Sequence, residues 1–301
     1  DGWMFTGGRT PDPVLAGVFR LGPVAPATRP HAYFVPADGE PVKILHAIEP
    51  APLEALPGAV WTYPTRVHWE RALSGLFERG GRVAIQYSPR AALPPVDGVP
   101  AGLLELLRAC GALPESSAPL LALLAVLSPA ELAEHETAAG LLTGAVGNLF
   151  AWLRERLRGG GGTTELAAQA RLRELAHAAG LALPAAPIVA FGEHTADPHY
   201  APVPATDAAL SPHELVLVDA WARLPRDGAP FADLTWMGVA WEEPPHEWAQ
   251  MFAILCRARD HGVEAVRHAA AAGKPVTGAQ VDRVVRGVIE AAGYGDYFLH
   301  R

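Results

Sequence analysis

Two aspartates stand fourteen positions apart in the stretch LVLVDAWARLPRDGAPFADLTW, which runs from Leu215 to Trp236. Each interrupts a run of apolar residues, and the polar PRDG segment at Pro225–Gly228 separates the two runs. This is the pattern of a β-hairpin. A turn centred on Arg226 sets Asp219 directly opposite Asp233, on one side of the sheet, with Cβ atoms about 4.5–5.5 Å apart. Two carboxylates that close repel each other, and partial burial adds a desolvation cost. A shared proton, a nearby Arg or Lys, or a metal ion has to offset it. The neighbouring strand positions offer no basic residue on that face. A pair of divalent ions about 3.5–4 Å apart requires bridging carboxylates at such a separation. Hard oxygen donors suit Mn²⁺, with Co²⁺ and Zn²⁺ as alternatives. The plainer reading is that an Asp near a strand end caps a turn or meets a lysine. Two carboxylates are also too few for a two-metal site, so the other ligands must come from elsewhere.

The elements that would hold this pair fall into two groups. In the first part of the chain, HAYFVPA (31–37), PVKILHAI (41–48) and RVAIQY (82–87) read as strands bounded by Gly and Pro. Residues 67–79 have helical spacing, with Trp69, Leu73 and Leu76 on one side, and residues 102–111 form a short helix closed by glycine. This alternation predicts an α/β domain over residues 1–127. SPAE at Ser128–Glu131 is a capping box that opens a helix reaching about Leu157, with Leu132, Ala139, Leu142, Val146, Leu149 and Leu153 keeping a helical stripe, and four glycines end it. Thr163 can cap the next helix, with Glu165 in its first turn and Gly180 past its end. A strand then runs from Pro187 into a loop ending at Tyr200, the aspartate hairpin follows, and helices over 246–272 and 278–292 close the second domain, residues 128–301. Thr277 and Gln280 form a second capping box.

The 301 residues are half apolar and carry a formal charge of −8. Scattered basic residues argue against nucleic acid or an anionic membrane as the main partner. The longest apolar run, residues 118–127, contains Pro119 and is too short to span a bilayer. Cys110 and Cys256 stand far apart, outside any disulfide framework or metal-ligand spacing, which fits a reducing, cytoplasmic compartment. The chain starts at Asp1 rather than Met and ends on GYGDYFLHR without a helix stop, so a segment of a longer protein is expected.

The stretches ADPHY (196–200), LVLVDAWA (215–222), FADLTWMG (231–238), RARD (257–260) and GYGDYFLHR (293–301) together resemble peptidase family M24. That family holds creatinase and the Xaa-Pro and methionine aminopeptidases, and the likeness is greatest to bacterial Xaa-Pro peptidases. DGW at the start and QYSPRAALPPVDGVPAG (86–102) look like the family's amino-terminal domain, so the likeness covers nearly the whole chain. The resemblance implies an α/β (α+β) fold: a creatinase-like amino-terminal domain followed by an incomplete pita-bread catalytic domain. Asp219 matches the family's first metal aspartate and Asp233 the second, which bridges two divalent metals. His199 matches the histidine that steadies the tetrahedral intermediate. His300 matches a histidine near the substrate. A later histidine and two glutamates complete the family's site, so two of five protein ligands are present, and these residues alone are expected to be inactive. His194 is read as part of the loop, Asp197 as a turn cap, and Trp221 and Trp236 as packing.

The function implied is metal-dependent hydrolysis of the peptide bond before proline. The substrate is a short peptide with proline second, and the protein is a homodimer. Two alternatives remain: a non-catalytic pita-bread protein that binds peptides, and a metal-free creatinase-like hydrolase.

Overall fold

The computed structural model describes residues 1–8, 12–21 and 27–299. They form two compact units, Asp1–Ser128 and Pro129–Arg301.

The first unit contains β1 (Gly2–Gly7), α1 (Pro13–Val18), β2 (His31–Pro36), β3 (Val42–His46), β4 (Ala59–Tyr63), α2 (Arg66–Leu76), β5 (Gly81–Ile85), α3 (Ala101–Ala109), β6 (Ala112–Ser116) and α4 (Leu120–Leu124). Its six strands lie in the order β4-β3-β2-β1-β5-β6. The β1–β2 and β2–β3 pairs are antiparallel, and the other three are parallel. Strand side chains alternate, so both faces are buried. Met4, Phe34, Ile44 and Val83 pack against Trp69, Leu73 and Leu107 of α2 and α3. Phe5, Tyr33 and Leu45 face Val14, Leu15 and Leu120 of α1 and α4. The strands expected near 31–37, 41–48 and 82–87 are present. β1, β4 and β6 were not anticipated; β4 and β6 are the edge strands, and of the two only β6, with Pro114 inside it, lacks a strand-like pattern.

The second unit contains α5 (Pro129–Arg158), α6 (Glu165–Ala178), β7 (Ile188–Phe191), β8 (Leu215–Ala222), β9 (Ala232–Val239), α7 (His246–Ala271) and α8 (Gly278–Ala291). The sheet order is β7-β8-β9, antiparallel throughout. Val216, Val218, Ala220 and Ala222 of β8 alternate onto one face, buried against Leu142, Val146, Leu149 and Leu153 of α5 and Leu172 of α6. Leu132, expected on the α5 stripe, is exposed, and Ala138 and Ala145 take core positions instead. The cap of α6 is Thr164 rather than Thr163; the Thr164 hydroxyl accepts from Ala167 N–H at 3.3 Å. The Thr277–Gln280 capping box opens α8. α7 and α8 pack closely at Gly262, where a Cβ would lie 2.8 Å from Val285 Cγ2.

Candidate metal centre

β8 is built as a two-faced strand. Its even-numbered residues are small and apolar and enter the core, so Leu217, Asp219 and Trp221 project from the opposite face. On β9, Gly238 lies against the Phe150 ring of α5, where a Cβ would meet Phe150 Cε1 at 2.6 Å. Trp236 also packs on Phe150, with ring centroids 6.3 Å apart. The even positions of β9 therefore face α5, and Asp233, Thr235 and Met237 face away from it, on the side that carries Asp219.

The register differs from the one expected. Asp219 pairs with Thr235, and Asp233 pairs with Trp221. The two aspartates are diagonal neighbours rather than directly opposed. Diagonal Cα atoms stand about 7–8 Å apart, with the Cβ atoms somewhat closer. The cause lies in the connection, residues 223–231, which is longer than a tight PRDG turn and is fastened by tertiary contacts. Arg226 reaches Glu134 of α5, with Nε to Oε1 at 2.9 Å. The Arg223 guanidinium lies 5.2 Å from the Phe231 ring centroid. Arg223 and Ala182 also exchange backbone hydrogen bonds of 2.8 and 3.1 Å. These contacts centre the loop on Asp227. A slip of this kind by an even number of residues leaves every side chain on its own face.

On the shared face, Thr235 Oγ1 donates to Asp219 Oδ1 at 2.9 Å. The Asp233 carboxyl is raised above its usual range, first by desolvation and then by the charge of Asp219, with a partial offset from the Leu234 backbone N–H. Among the described residues, neither carboxylate forms an ion pair with Lys, Arg or His. An uncompensated pair of oxygen donors on one face fits a divalent cation. It fits as part of a coordination shell only: among the described residues, no group of three or more His, Cys, Asp and Glu side chains is placed to hold a metal. A groove of about 1200 Å³ runs along Phe150, Arg154, Trp236 and Trp241. Neither aspartate lines it, so this groove and the acid pair are separate features.

His199 lies on the segment that follows β7. A 3₁₀ turn, Gly192–Ala196, leads to Asp197, whose Oδ1 accepts the His199 backbone N–H at 2.9 Å. The imidazole-bearing residue is exposed and Tyr200 beside it is buried. His194 is tied to Glu165, with Nδ1 to Oε1 at 2.9 Å. His300 lies outside the described residues. Thr235 was missed in the sequence, although its spacing of two from Asp233 on a strand was the available signal. Glu165 was seen only as an acidic residue in a first helical turn. Its partners lie 26 to 43 positions away, and no local pattern announces them.

Residues 133–301, more than half of the chain, match the family model for metallopeptidase family M24. The chain belongs to metallopeptidase family M24. Over 114 residues this M24 member is 32% identical to the Xaa-Pro dipeptidase of Lactobacillus helveticus, covering 38% of this chain and 27% of that protein. It is 32% identical over 140 residues to a probable dipeptidase PepE of Mycobacterium bovis, covering 46% of this chain and 34% of the relative. The matched stretches thus span about a third of the length of these curated relatives. Among solved structures, dipeptidase PepE from Mycobacterium ulcerans superposes with a TM-score of 0.65 at 26% identity, covering all of this chain and 74% of that one. The mixed α/β architecture matches the pita-bread structures of the M24 family. Among the described residues, no helix is long and apolar enough to cross a membrane.

Proposed function

We propose that the whole protein is a metal-dependent Xaa-Pro peptidase that hydrolyses the bond between an amino-terminal residue and a following proline in short peptides. The observation that supports this most is the acid pair: Asp219 and Asp233 share one face of the β8–β9 hairpin, form no ion pair with Lys, Arg or His among the described residues, and lie inside the stretch that matches a metallopeptidase family.

In this reading Asp219 and Asp233 hold two divalent metals, of which Mn²⁺ is the first choice and Co²⁺ or Zn²⁺ the alternatives. When bound, the metals supply an acidified water and a Lewis acid for the scissile carbonyl. The hydroxyl of Thr235 fixes the rotamer of Asp219, as outer partners of metal carboxylates do. His199 donates a hydrogen bond to the oxyanion that develops on the carbonyl. His300 contributes to the substrate side of the site. The remaining histidine and two glutamate ligands belong to the whole protein, so these 301 residues alone are inactive. The whole protein is a cytoplasmic homodimer.

The test is Asp233→Ala in the whole protein, assayed for metal-dependent cleavage of a Gly-Pro-type dipeptide. Loss of activity is expected, and activity at the wild-type level refutes the assignment. A second reading, a peptide-binding protein without catalysis, draws on the absence of a third donor beside the pair among the described residues. It requires that the wild-type whole protein bind such a peptide and leave it uncut in the presence of each of the three metals.

A further inference from the structure

Glu165 is the most deeply buried charged side chain described, at 0% exposure, and it opens α6. Burying a carboxylate is costly unless its oxygens are satisfied. Here they are. Oε1 accepts from Phe191 N–H at 2.7 Å and from His194 Nδ1 at 2.9 Å. Oε2 accepts from the Tyr200 hydroxyl at 2.6 Å and from Ala208 N–H at 3.1 Å. Four acceptor sites are what an ionised carboxylate offers, and four donors occupy them. The helix amino terminus favours the same negative charge.

The four donors share one property. They come from the end of β7, from the 3₁₀ turn, from Tyr200 and from the irregular segment that returns at Ala208, so they bracket residues 191–208 around His199. Three further contacts tighten the bracket. The His194 ring stacks on Tyr200 with centroids 4.3 Å apart. Asp197 Oδ1 holds the His199 N–H at 2.9 Å. Asp207 Oδ1 accepts from Leu166 N–H at 2.9 Å, tying the far side of the loop to the same helix end.

We propose that Glu165 is a positioning residue: its buried carboxylate gathers the 191–208 loop onto the start of α6 and so sets where His199 is presented. As a contribution to catalysis this rests on the function proposed above. A misplacement of about 1 Å at a reacting group costs on the order of a hundredfold in rate, so a loop fastened at one carboxylate has a kinetic signature.

Glu165→Gln is the sharpest probe. It keeps the shape but replaces one acceptor oxygen with an NH₂ group, which cannot accept from the backbone N–H of either Phe191 or Ala208. In the metal-loaded whole protein, kcat on a Gly-Pro-type dipeptide should fall about tenfold to a hundredfold, with KM within about twofold. Amide hydrogen exchange should speed up across residues 191–208 and stay unchanged in α5 and β8. Tyr200→Phe removes one donor of four and serves if Glu165→Gln does not fold; its effect runs the same way, about threefold to tenfold on kcat. Wild-type kcat and exchange in these variants overturn the proposal. So does a loss of protection spread evenly over the second unit, which is the mark of a merely structural residue. If the wild-type protein cleaves no prolyl peptide, the function proposal falls, and the exchange pattern alone decides whether Glu165 anchors the loop.

Discussion

Asp219 and Asp233 project from the same face of a β-hairpin, yet each is paired with a different residue, Asp219 with Thr235 and Asp233 with Trp221. The offset carries chemistry. It gives Asp219 a hydroxyl donor directly across the ladder, and it leaves Asp233 with desolvation, the charge of Asp219 and one backbone N–H.

The acid pair should cost the metal-free protein stability in a pH-dependent way. A carboxyl whose folded-state pKa is raised binds its proton more tightly in the native chain. Its penalty is therefore absent below the ordinary carboxylate value of 3.8 and grows as pH rises through that value and through the raised one. Asp233→Asn should raise the thermal midpoint at pH 7, and the gain should vanish by about pH 3. Melting curves across that range check it. A gain that is largest in acid contradicts the sign.

Divalent metal should reverse the cost. Mn²⁺ added to the metal-free whole protein should raise its midpoint as the concentration passes the dissociation constant, since ligand bound only by the native state stabilises it. The shift should disappear in Asp219→Asn. An equal shift in that variant would place the metal elsewhere.

Thr235→Val keeps the volume and removes the donor to Asp219. Outer-shell losses of this kind typically weaken metal affinity about tenfold to a hundredfold. The metal-free fold should change by no more than about 1.5 kcal/mol, the net worth of one hydrogen bond. Metal titration by calorimetry, beside urea melts of the metal-free form, separates the two effects.

At Gly262 α8 packs tightly against α7, with Val285 Cγ2 only 2.8 Å from the site of an added Cβ. Gly262→Ala should destabilise the helix pair by about 1–3 kcal/mol through overpacking, despite the better helix propensity of alanine. Val285→Ala in the same chain should recover most of the loss. Urea melts followed by circular dichroism measure both.

Much of the fold was legible because it rests on local signals. The apolar alternation of β8, the stripe of α5 and the Thr277–Gln280 box depend on neighbours within a few positions, and periodicity reports such neighbours directly. The edge strand β6 lay outside that reach: Pro114 breaks its apolar pattern and Leu113 is exposed, so it exists through pairing with β5. The other edge strand, β4, is Ala-Val-Trp-Thr-Tyr and did carry a strand signal, which went unread. The hairpin register failed for a related reason. The turn signal at PRDG was read as a tight connection, whereas Arg226 is fastened to Glu134 and Arg223 to Phe231 and Ala182, and the ladder centres the loop on Asp227.

The amino-acid sequence by itself determined that two aspartates would sit in an apolar hairpin, because side-chain direction along a strand has a period of two and survives an even shift in pairing. Only the tertiary structure decided which residue each aspartate faces, and that a glutamate in the first turn of α6 would gather the loop carrying His199. Those relationships join positions many residues apart, and the packing that brings them together leaves no local trace in the order of the chain.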